Sequence, residues 1–298
     1  MNDFLQYLAS GVALGGIYAL VCLGFVVVYR STGVLNLAQG GFVLLGAFLT
    51  YQFGKMSHLP FLVGMLISIV LMAGVGVIVE RTILRHMVAR PILAIIMVTL
   101  GLLYVIQPIV TSIWGFDLHM LGDPWGTQTL RVGHVALQAI DLWSIGLSAL
   151  IIGGLFGFFR YTRLGIAMRA TAADPEAAAA NGISPSMVAR FAWAVAGMVG
   201  AVSGVMLTAG NQGVSVDVGE IAFDAFPAMM LGGAESTFGA AVGGLIIGMS
   251  VVFTAGYVEP HAPWLGANFH VVMPYVVMIL IMLVRPQGIF GRERVERV

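Results

Sequence analysis

RYTRLGIAMRATAADPEAAAANGISPSMVAR, residues 160–190, is the one stretch near the middle of this 298-residue chain that reads as a folded, water-facing element. Asp174 suits a helix N-cap, Pro175 the first position and Glu176 the positive end. Ala177, Ala178 and the two alanines after them propagate the helix until Asn181-Gly182 stops it. A helix of about two turns does not persist alone in water, so packing at its ends or a partner must hold it. Arg160, Arg163 and Arg169 precede it and Arg190 follows it. It reads as a docking element set between two blocks of apolar chain.

Those blocks decide the fold class. The chain is 59% hydrophobic and 9% charged, with a mean hydropathy of +0.97, whereas a soluble domain carries about 25% charged residues. This is the composition of an integral membrane protein whose first partner is the lipid bilayer, and it excludes a soluble enzyme or a nucleic-acid-binding module. The 39 glycines are far above the usual share, as expected where helices pack closely in lipid. MNDFLQYL lacks the basic start of a secretory signal, so the first apolar run reads as a retained span. Cys22 is the single cysteine, which leaves no disulfide framework.

In chain order, residues 8–29 are long enough to cross the hydrocarbon layer, and Arg30 marks a cytoplasmic end. Residues 31–53 open with Asn36, Gln39, Gly40 and Gly41, which suit a broken or re-entrant helix more than a lipid-facing one. Residues 60–79 return to Glu80, Arg81, Arg85 and Arg90. Residues 92–113 cross outward to a loop holding Asp117, His119, Asp123, Asp141 and a single Arg131, with Trp114, Trp125 and Trp143 as interfacial anchors. Residues 142–159 and 187–208 flank the cytoplasmic loop at 160–190, and Gly197, Gly200 and Gly204 favour close helix contact. Residues 223–231 are too short to span, contain Asp224 and Pro227, and end at Gly232-Gly233, resembling a transporter half-helix. Glu235, Ser236 and Thr237 read as a turn. Residues 240–257 and 271–284 complete the set, and Arg285, Arg292, Arg294 and Arg297 place the C-terminus in the cytoplasm.

The expected architecture is therefore all-α: one polytopic membrane domain over 1–298 with about eight or nine segments, broken helices and inverted repeats. The repeat sets residues 35–46, LNLAQGGFVLLG, against 221–232, IAFDAFPAMMLG, which run in opposite directions in this topology. The pairs Gly11/Gly15, Gly153/Gly157 and Gly239/Gly243 read as packing seams.

STGVLNLAQGGF, TRLGIAMRATAADPEAAAANGI, LGGAESTFGAAVGGLIIG and RPQGIFG resemble, in order and over nearly the whole chain, the permease subunits of branched-chain amino acid ATP-binding cassette importers, the LivH type. The resemblance implies a bacterial inner-membrane protein that works with a second related permease, two cytoplasmic ATP-binding subunits and a periplasmic substrate-binding protein. It also implies that the segment holding Asp174–Gly182 is the coupling helix seated in an ATPase subunit. On that reading Arg163, Gly165, Arg169, Asp174, Pro175, Glu176, Ala177, Ala178 and Gly182 serve coupling. Asn36, Gln39, Gly40, Gly41, Asp224, Pro227, Gly232 and Gly233 lie on the substrate path. Relatives carrying urea or short amides share these motifs, so the resemblance leaves the substrate open.

The residues agree by what is missing. There is no G-x-x-x-x-G-K-[ST] loop, and Lys55 is the only lysine, so no cofactor is expected and ATP would be hydrolysed by partner subunits. His58, His86, His119, His134, His261 and His270 form no i, i+4 pair, and Ser236 lacks a G-x-S-x-G context, so no metal site and no catalytic residue are expected. An ionisable residue within an apolar segment points to a cavity or path, which favours a role for Asp224 over simple solvation. Asn36 and Gln39 suit interhelical hydrogen bonding as well as substrate contact. A proton-coupled carrier using Asp224 or Glu220, or an oligomeric channel, would also be polytopic, but neither needs a capped cytoplasmic lever.

Overall fold

The computed structural model describes residues 2–87, 90–122, 129–132, 135–210, 212–266 and 268–291. Asp123, Trp125, His134, Arg292, Arg294 and Arg297 lie outside the described residues, and Arg131 is described by its backbone alone. The elements in order are α1 (Asn2–Thr32), α2 (Gln39–Tyr51), α3 (Phe61–Thr82), α4 (Ile92–Trp114), β1 (Thr129–Val132), β2 (Val135–Gln138), α5 (Ala139–Tyr161), α6 (Arg163–Ala173) and α7 (Pro175–Ala180). There follow α8 (Pro185–Thr208), α9 (Ile221–Gly232), α10 (Thr237–Phe253), α11 (Glu259–His261) and α12 (Met273–Val284). Six helical stretches, beginning at Phe4, Phe61, Ile92, Ala139, Pro185 and Thr237, are long and apolar enough to cross a membrane, and α2, α9 and α12 are shorter. The all-α polytopic class holds, with a small antiparallel hairpin, Thr129 opposite Gln138, added in the loop before α5.

Local sequence sets the element ends. Pro60 and Pro91 precede α3 and α4, and Pro185 opens α8, each where a missing N–H costs nothing. The expected turn between the two segments is present, closed by the Ser236 amide on the Gly233 carbonyl at 3.0 Å, and Ser236 then accepts from the Gly239 amide at 2.9 Å and caps α10, which begins at Thr237. The arginines at positions 30, 81, 85, 160, 163, 169, 190 and 285 collect at one end of the bundle, here the basic end.

Burial divides the helices into an inner pair and an outer set. Of the apolar stretch, 89% is buried in α1 and 78% in α8, against 22% in α4 and 17% in α5. A helix apolar on all sides belongs either in a core or in lipid, and only packing tells these apart. The inner pair is packed through small residues. Along α1 and α10 the contacts run antiparallel, Gly11 against Met249, Gly15 against Leu245 and Ala19 against Gly244. Along α3 and α8 they do the same: a Cβ on Gly76 would enter the Trp193 carbonyl, and one on Gly197 the Met72 carbonyl. Gly200 and Gly204 rest on α2 at Phe42 and Val43, and Gly239 and Gly243 rest on α9 at Gly232 and Ala228. The seam reading holds for Gly11/Gly15 and Gly239/Gly243. It fails within this chain for Gly153/Gly157, where no described atom lies within 4 Å, because α5 turns that face outward.

The pairing recurs with opposite sense. The series α1, α2, α3, α4 is matched by α8, α9, α10, α12: α1 packs on α10 as α8 packs on α3, α9 lies beside α1 as α2 lies beside α8, and α12 flanks α9 as α4 flanks α2. This is an inverted repeat of four elements, with α5, α6 and α7 outside it. The register expected from sequence needs correction. Residues 35–38 are not helical whereas 221–224 are, and the two helix starts, Gln39 and Ile221, correspond instead. Two apolar glycine-rich stretches match in several registers, and the position of the helix break selects the true one.

Placing a Cβ in a seam without room forces the helices apart, an overpacking cost of about 1–3 kcal/mol or more. Gly197→Val is expected to lower the thermal unfolding midpoint of the purified protein by several degrees, while Gly153→Val on the open face leaves it close to that of the parent. Equal midpoints for the two variants in detergent-solubilised melts would contradict this packing.

Candidate functional site

The two short helices α2 and α9 build the centre of the molecule. The Gln39 side chain donates from Nε2 to the Ala196 carbonyl at 3.2 Å, and Ala196 is midway along α8, so α2 begins halfway through the bundle. Gly40 lies so close to the Gly219 carbonyl and to Ala222 that a Cβ there would overlap both. Thus α9 begins at the same level. From this point α2 runs away from the basic end, to Gln52, whose Oε1 accepts from Trp114 Nε1 at 2.8 Å. The other helix runs toward the basic end, where Gly233 meets Gly291. Both N-termini lack a side-chain cap, so two positive helix ends converge at mid-bundle.

A chain entering the bundle without helical hydrogen bonds needs other partners. Before α2, Thr99 on α4 accepts from the Leu37 amide at 3.2 Å and sits 3.1 Å from the Leu35 carbonyl. Asn36 donates to Gln39 Oε1 at 3.3 Å. Before α9, His119 and Val214 exchange backbone hydrogen bonds of 3.0 and 2.7 Å, and Gly210 donates to the Gly122 carbonyl. The turn Val216–Glu220 then leads into α9.

The structure sorts the expected path residues into two groups. Asn36, Gln39, Gly40 and Gly41 are fully enclosed: the two amides brace the break, Gly40 admits the crossing of the half-helices, and Gly41 faces Ile106. Gly232 and Gly233 form the corner between α9 and α10, and Gly233 adopts φ +95°. RPQGIFG closes that corner, its Ile289 amide donating to the Leu231 carbonyl at 2.8 Å and its Phe290 amide to Gly232. Asp224 differs. It is only partly buried, faces Tyr18 of α1 and Tyr275 of α12, and lies within electrostatic reach of Glu220 and His270. Pro227, one turn further on, has no N–H for the Phe223 carbonyl, which leaves an acceptor in the same turn as Asp224. Sequence reasoning passed over Thr99, Tyr18 and Tyr275, for a lone hydroxyl in an apolar helix carries no signal of its partner.

The coupling residues also divide. Asp174 Oδ1 accepts from the Glu176 and Ala177 amides at 3.0 and 2.9 Å, Pro175 holds the first position, and Gly182 ends the turn at φ +82°. The capped helix read from sequence is therefore present as α7. Ala178 is buried while Glu176, Ala177, Ala179 and Ala180 are exposed, so one residue seats the helix and the rest present outward. The preceding helix α6 was not anticipated. Thr162 caps it at Gly165, and Gly165 abuts the backbone of Phe158 and Phe159. Arg169 turns back to cap the Phe159 and Arg160 carbonyls. These two residues build the corner between α5 and α6, and Arg163 is exposed beside it. Among the described residues no cluster of His, Cys, Asp or Glu has the arrangement of a metal site.

A family model described as branched-chain amino acid transport system / permease component matches residues 7–282. The high-affinity branched-chain amino acid transport system permease protein LivH of Salmonella typhimurium is 28% identical over 311 residues, covering 99% of this chain and 98% of the relative. BraD of Pseudomonas aeruginosa, described in the same words, is 27% identical over 314 residues with the same coverage. A probable LivH of Methanocaldococcus jannaschii is 26% identical over 295 residues, 95% of this chain and 91% of the relative. The solved structure of PsaBC from Streptococcus pneumoniae in complex with Fab aligns over 97% of this chain and 94% of that chain, at 14% identity and a TM-score of 0.49.

The burial pattern fixes what a water-soluble thiol reagent reaches. In a Cys22→Ala background, cysteine at Asp224 is expected to react with a small hydrophilic methanethiosulfonate, and cysteine at Gln39 to remain protected. Comparable labelling at both positions would show that the Gln39 to Ala196 brace opens.

Proposed function

Since this chain belongs to the branched-chain amino acid transport permease family, we propose that it is one of two permease chains of an ATP-driven importer for branched-chain or other hydrophobic amino acids. The observation that carries the proposal is the inverted pair of half-helices. Both start at mid-bundle and leave in opposite directions, the arrangement on which alternating access by rocking of repeats rests. The path runs along the Asp224 face, between this chain and a second, related permease. There Asp224 and the free acceptor before Pro227 receive the substrate ammonium, and the surrounding apolar surface receives its side chain. Because Asn36, Gln39, Gly40 and Gly41 brace the break, they act on the path by holding α2 in place.

The basic end faces the cytoplasm of a bacterial inner-membrane protein, in keeping with the placement of its arginines. One of two cytoplasmic ATP-binding subunits seats α7, and a periplasmic binding protein delivers the substrate to the opposite end. ATP belongs to those partner subunits, and this chain carries no chemistry of its own. The lever is short but firmly mounted. Arg169, Thr162 and Gly165 fix the α5–α6 corner, Asp174 joins α6 to α7, and Ala178 anchors α7 from beneath. Closure of the ATPase pair moves this unit as one body and rocks the two permeases about the substrate path.

Two measurements test the reading. Proline at Ala178 removes the bond from its amide to the Asp174 carbonyl, 3.0 Å long, and costs about 3 kcal/mol or more in a helix interior. Ala178→Pro is expected to leave the protein inserted but abolish stimulation of ATP hydrolysis by the loaded binding protein in proteoliposomes. Asp174→Ala, which loses a cap of about 1 kcal/mol, is expected to give a partial loss. Wild-type transport by the Ala178→Pro complex would remove α7 from coupling. For orientation, an impermeant maleimide applied to intact cells is expected to label cysteine at Phe116 and not cysteine at Ala172, each in the Cys22→Ala background. The reverse pattern would invert the topology.

A further inference from the structure

A cavity of about 1220 Å³ opens at the basic end and penetrates this single chain between α1, α3, α4, α6 and α8, with Phe156 of α5, the start of α10 and Phe290 also on its wall. It is separate from the Asp224 face, which lies where α9 meets α1 and α12. Two side chains on its wall are in an unusual state. Trp193 of α8 is 0% exposed and Glu80 of α3 is 3% exposed, yet Trp193 Nε1 and Glu80 Oε2 have no hydrogen-bond partner among the described residues. Buried donors and acceptors are nearly always satisfied, and a buried carboxylate especially so. Arg85 and Arg190 lie within electrostatic reach of Glu80, but no ion pair joins it to either within 4 Å.

The two groups are neighbours across one seam. Gly76 touches the Trp193 carbonyl, and Glu80 follows Gly76 by one helical turn. Trp193 is the deeper of the two, since Pro185, Ser186 and Ala189, earlier in α8, line the way in. The wall therefore offers an unpaired N–H beside an unpaired carboxylate, with the guanidinium groups of Arg30, Arg85 and Arg169 and the Glu235 carboxylate on the same lining and Val34 and Ile95 supplying apolar surface. An acceptor for a cation beside donors for an anion, next to apolar surface, matches a small zwitterion with an apolar side chain. A simple anion would leave Glu80 facing like charge, and a simple cation would leave the indole N–H and Arg85 unused.

We propose that this cavity binds a free α-amino acid from the basic side. Glu80 accepts hydrogen bonds from the ligand ammonium, Trp193 Nε1–H and Arg85 donate to its carboxylate, and its side chain lies toward Val34 and Ile95. The site is separate from the transport path. That the ligand enters from the cytoplasm rests on the orientation proposed above, whereas the site itself does not. Its position gives it a consequence: α3 and α8 belong to different repeats, and Arg169 and Thr171 of α6 line the same cavity. A bound amino acid bridges the α3–α8 seam to the arm that carries α7, and so opposes movement of that arm when product has accumulated.

The test uses the assembled importer in nanodiscs, open to solvent on both faces, without its binding protein. Equilibrium dialysis with radiolabelled L-leucine is expected to show saturable binding. Competition by 4-methylpentanoate, which lacks the ammonium, and by leucinamide, which lacks the carboxylate, is expected to be at least about tenfold weaker than by leucine, a gap of about 1.4 kcal/mol. Glu80→Gln and Trp193→Phe are each expected to weaken leucine binding by about tenfold or more, while Asp224→Asn retains it. Absence of saturable binding to the wild-type complex would overturn the proposal, since water alone then fills the cavity. Equal competition by 4-methylpentanoate would overturn it in favour of an anion site. Binding lost in Asp224→Asn but kept in Glu80→Gln and Trp193→Phe would assign the leucine to the transport path, a result that removes this site and leaves the proposed function standing. The ligand series on the wild-type complex decides the matter even if a variant does not assemble.

Discussion

A polypeptide inside lipid needs partners within the protein for its backbone N–H and C=O groups, and this molecule breaks its helices twice and answers each break with bonds from neighbouring segments. The first break is enclosed between α4 and α8, where Thr99 serves Leu35 and Leu37 and Gln39 reaches Ala196. The second is paired with the loop after α4, through Val214 and Gly210. The α4 region thus serves both breaks, from its helix and from the segment that follows it. Because neither break can face lipid, α1 and α8 are drawn inward as the most buried helices, and the remaining long helices form the outer surface.

Closeness of helices is the second condition, and glycine meets it at particular crossings. Where Gly76 and Gly197 oppose the carbonyls of Trp193 and Met72, two backbones approach to a distance no side chain would allow. Without a hydrophobic drive between helices in lipid, such contact supplies dispersion over a long seam. The same residue type has no such role on the outer face of α5, where a Cβ on Gly153 or Gly157 would meet no described atom within 4 Å. At the basic end the logic changes from packing to capping. Thr162, Arg169 and Asp174 each satisfy helix-end groups, and together they turn a pair of short helices into a stiff projection.

Polar groups are accordingly scarce and placed with purpose. Asn36 and Gln39 are spent on holding a break closed, and Ser10 donates to Asp141 at 2.9 Å near the opposite end from the arginines. At that same end Glu259 takes both the backbone amide and the ring of His270, at 2.9 and 2.8 Å. Among the described residues the buried side-chain atoms without an internal partner are Asn36 Oδ1 in the first break, Ser148 Oγ on α5, and Glu80 Oε2 and Trp193 Nε1 on the cavity wall, while Asp224 is partly exposed. An ionisable group in lipid that is not needed to hold the fold is a group available to a ligand.

The sequence by itself determined the class, the crossing runs, the capped helix at Pro175–Ala180, two of the three expected glycine seams and the family, because hydropathy, caps and turn residues act within a few positions of one another. Only the tertiary structure decided that residue 39 and not residue 35 answers to Ile221, and that Asn36 and Gln39 are braces. It also decided that Arg169 caps α5, that Gly153 looks outward, and that Glu80 and Trp193 share a cavity. Each of these depends on which remote helix arrives opposite a residue. In a chain whose helices are apolar almost all round, no periodicity records that choice. It is set by backbone hydrogen-bond closure and the fit of small residues across the seams.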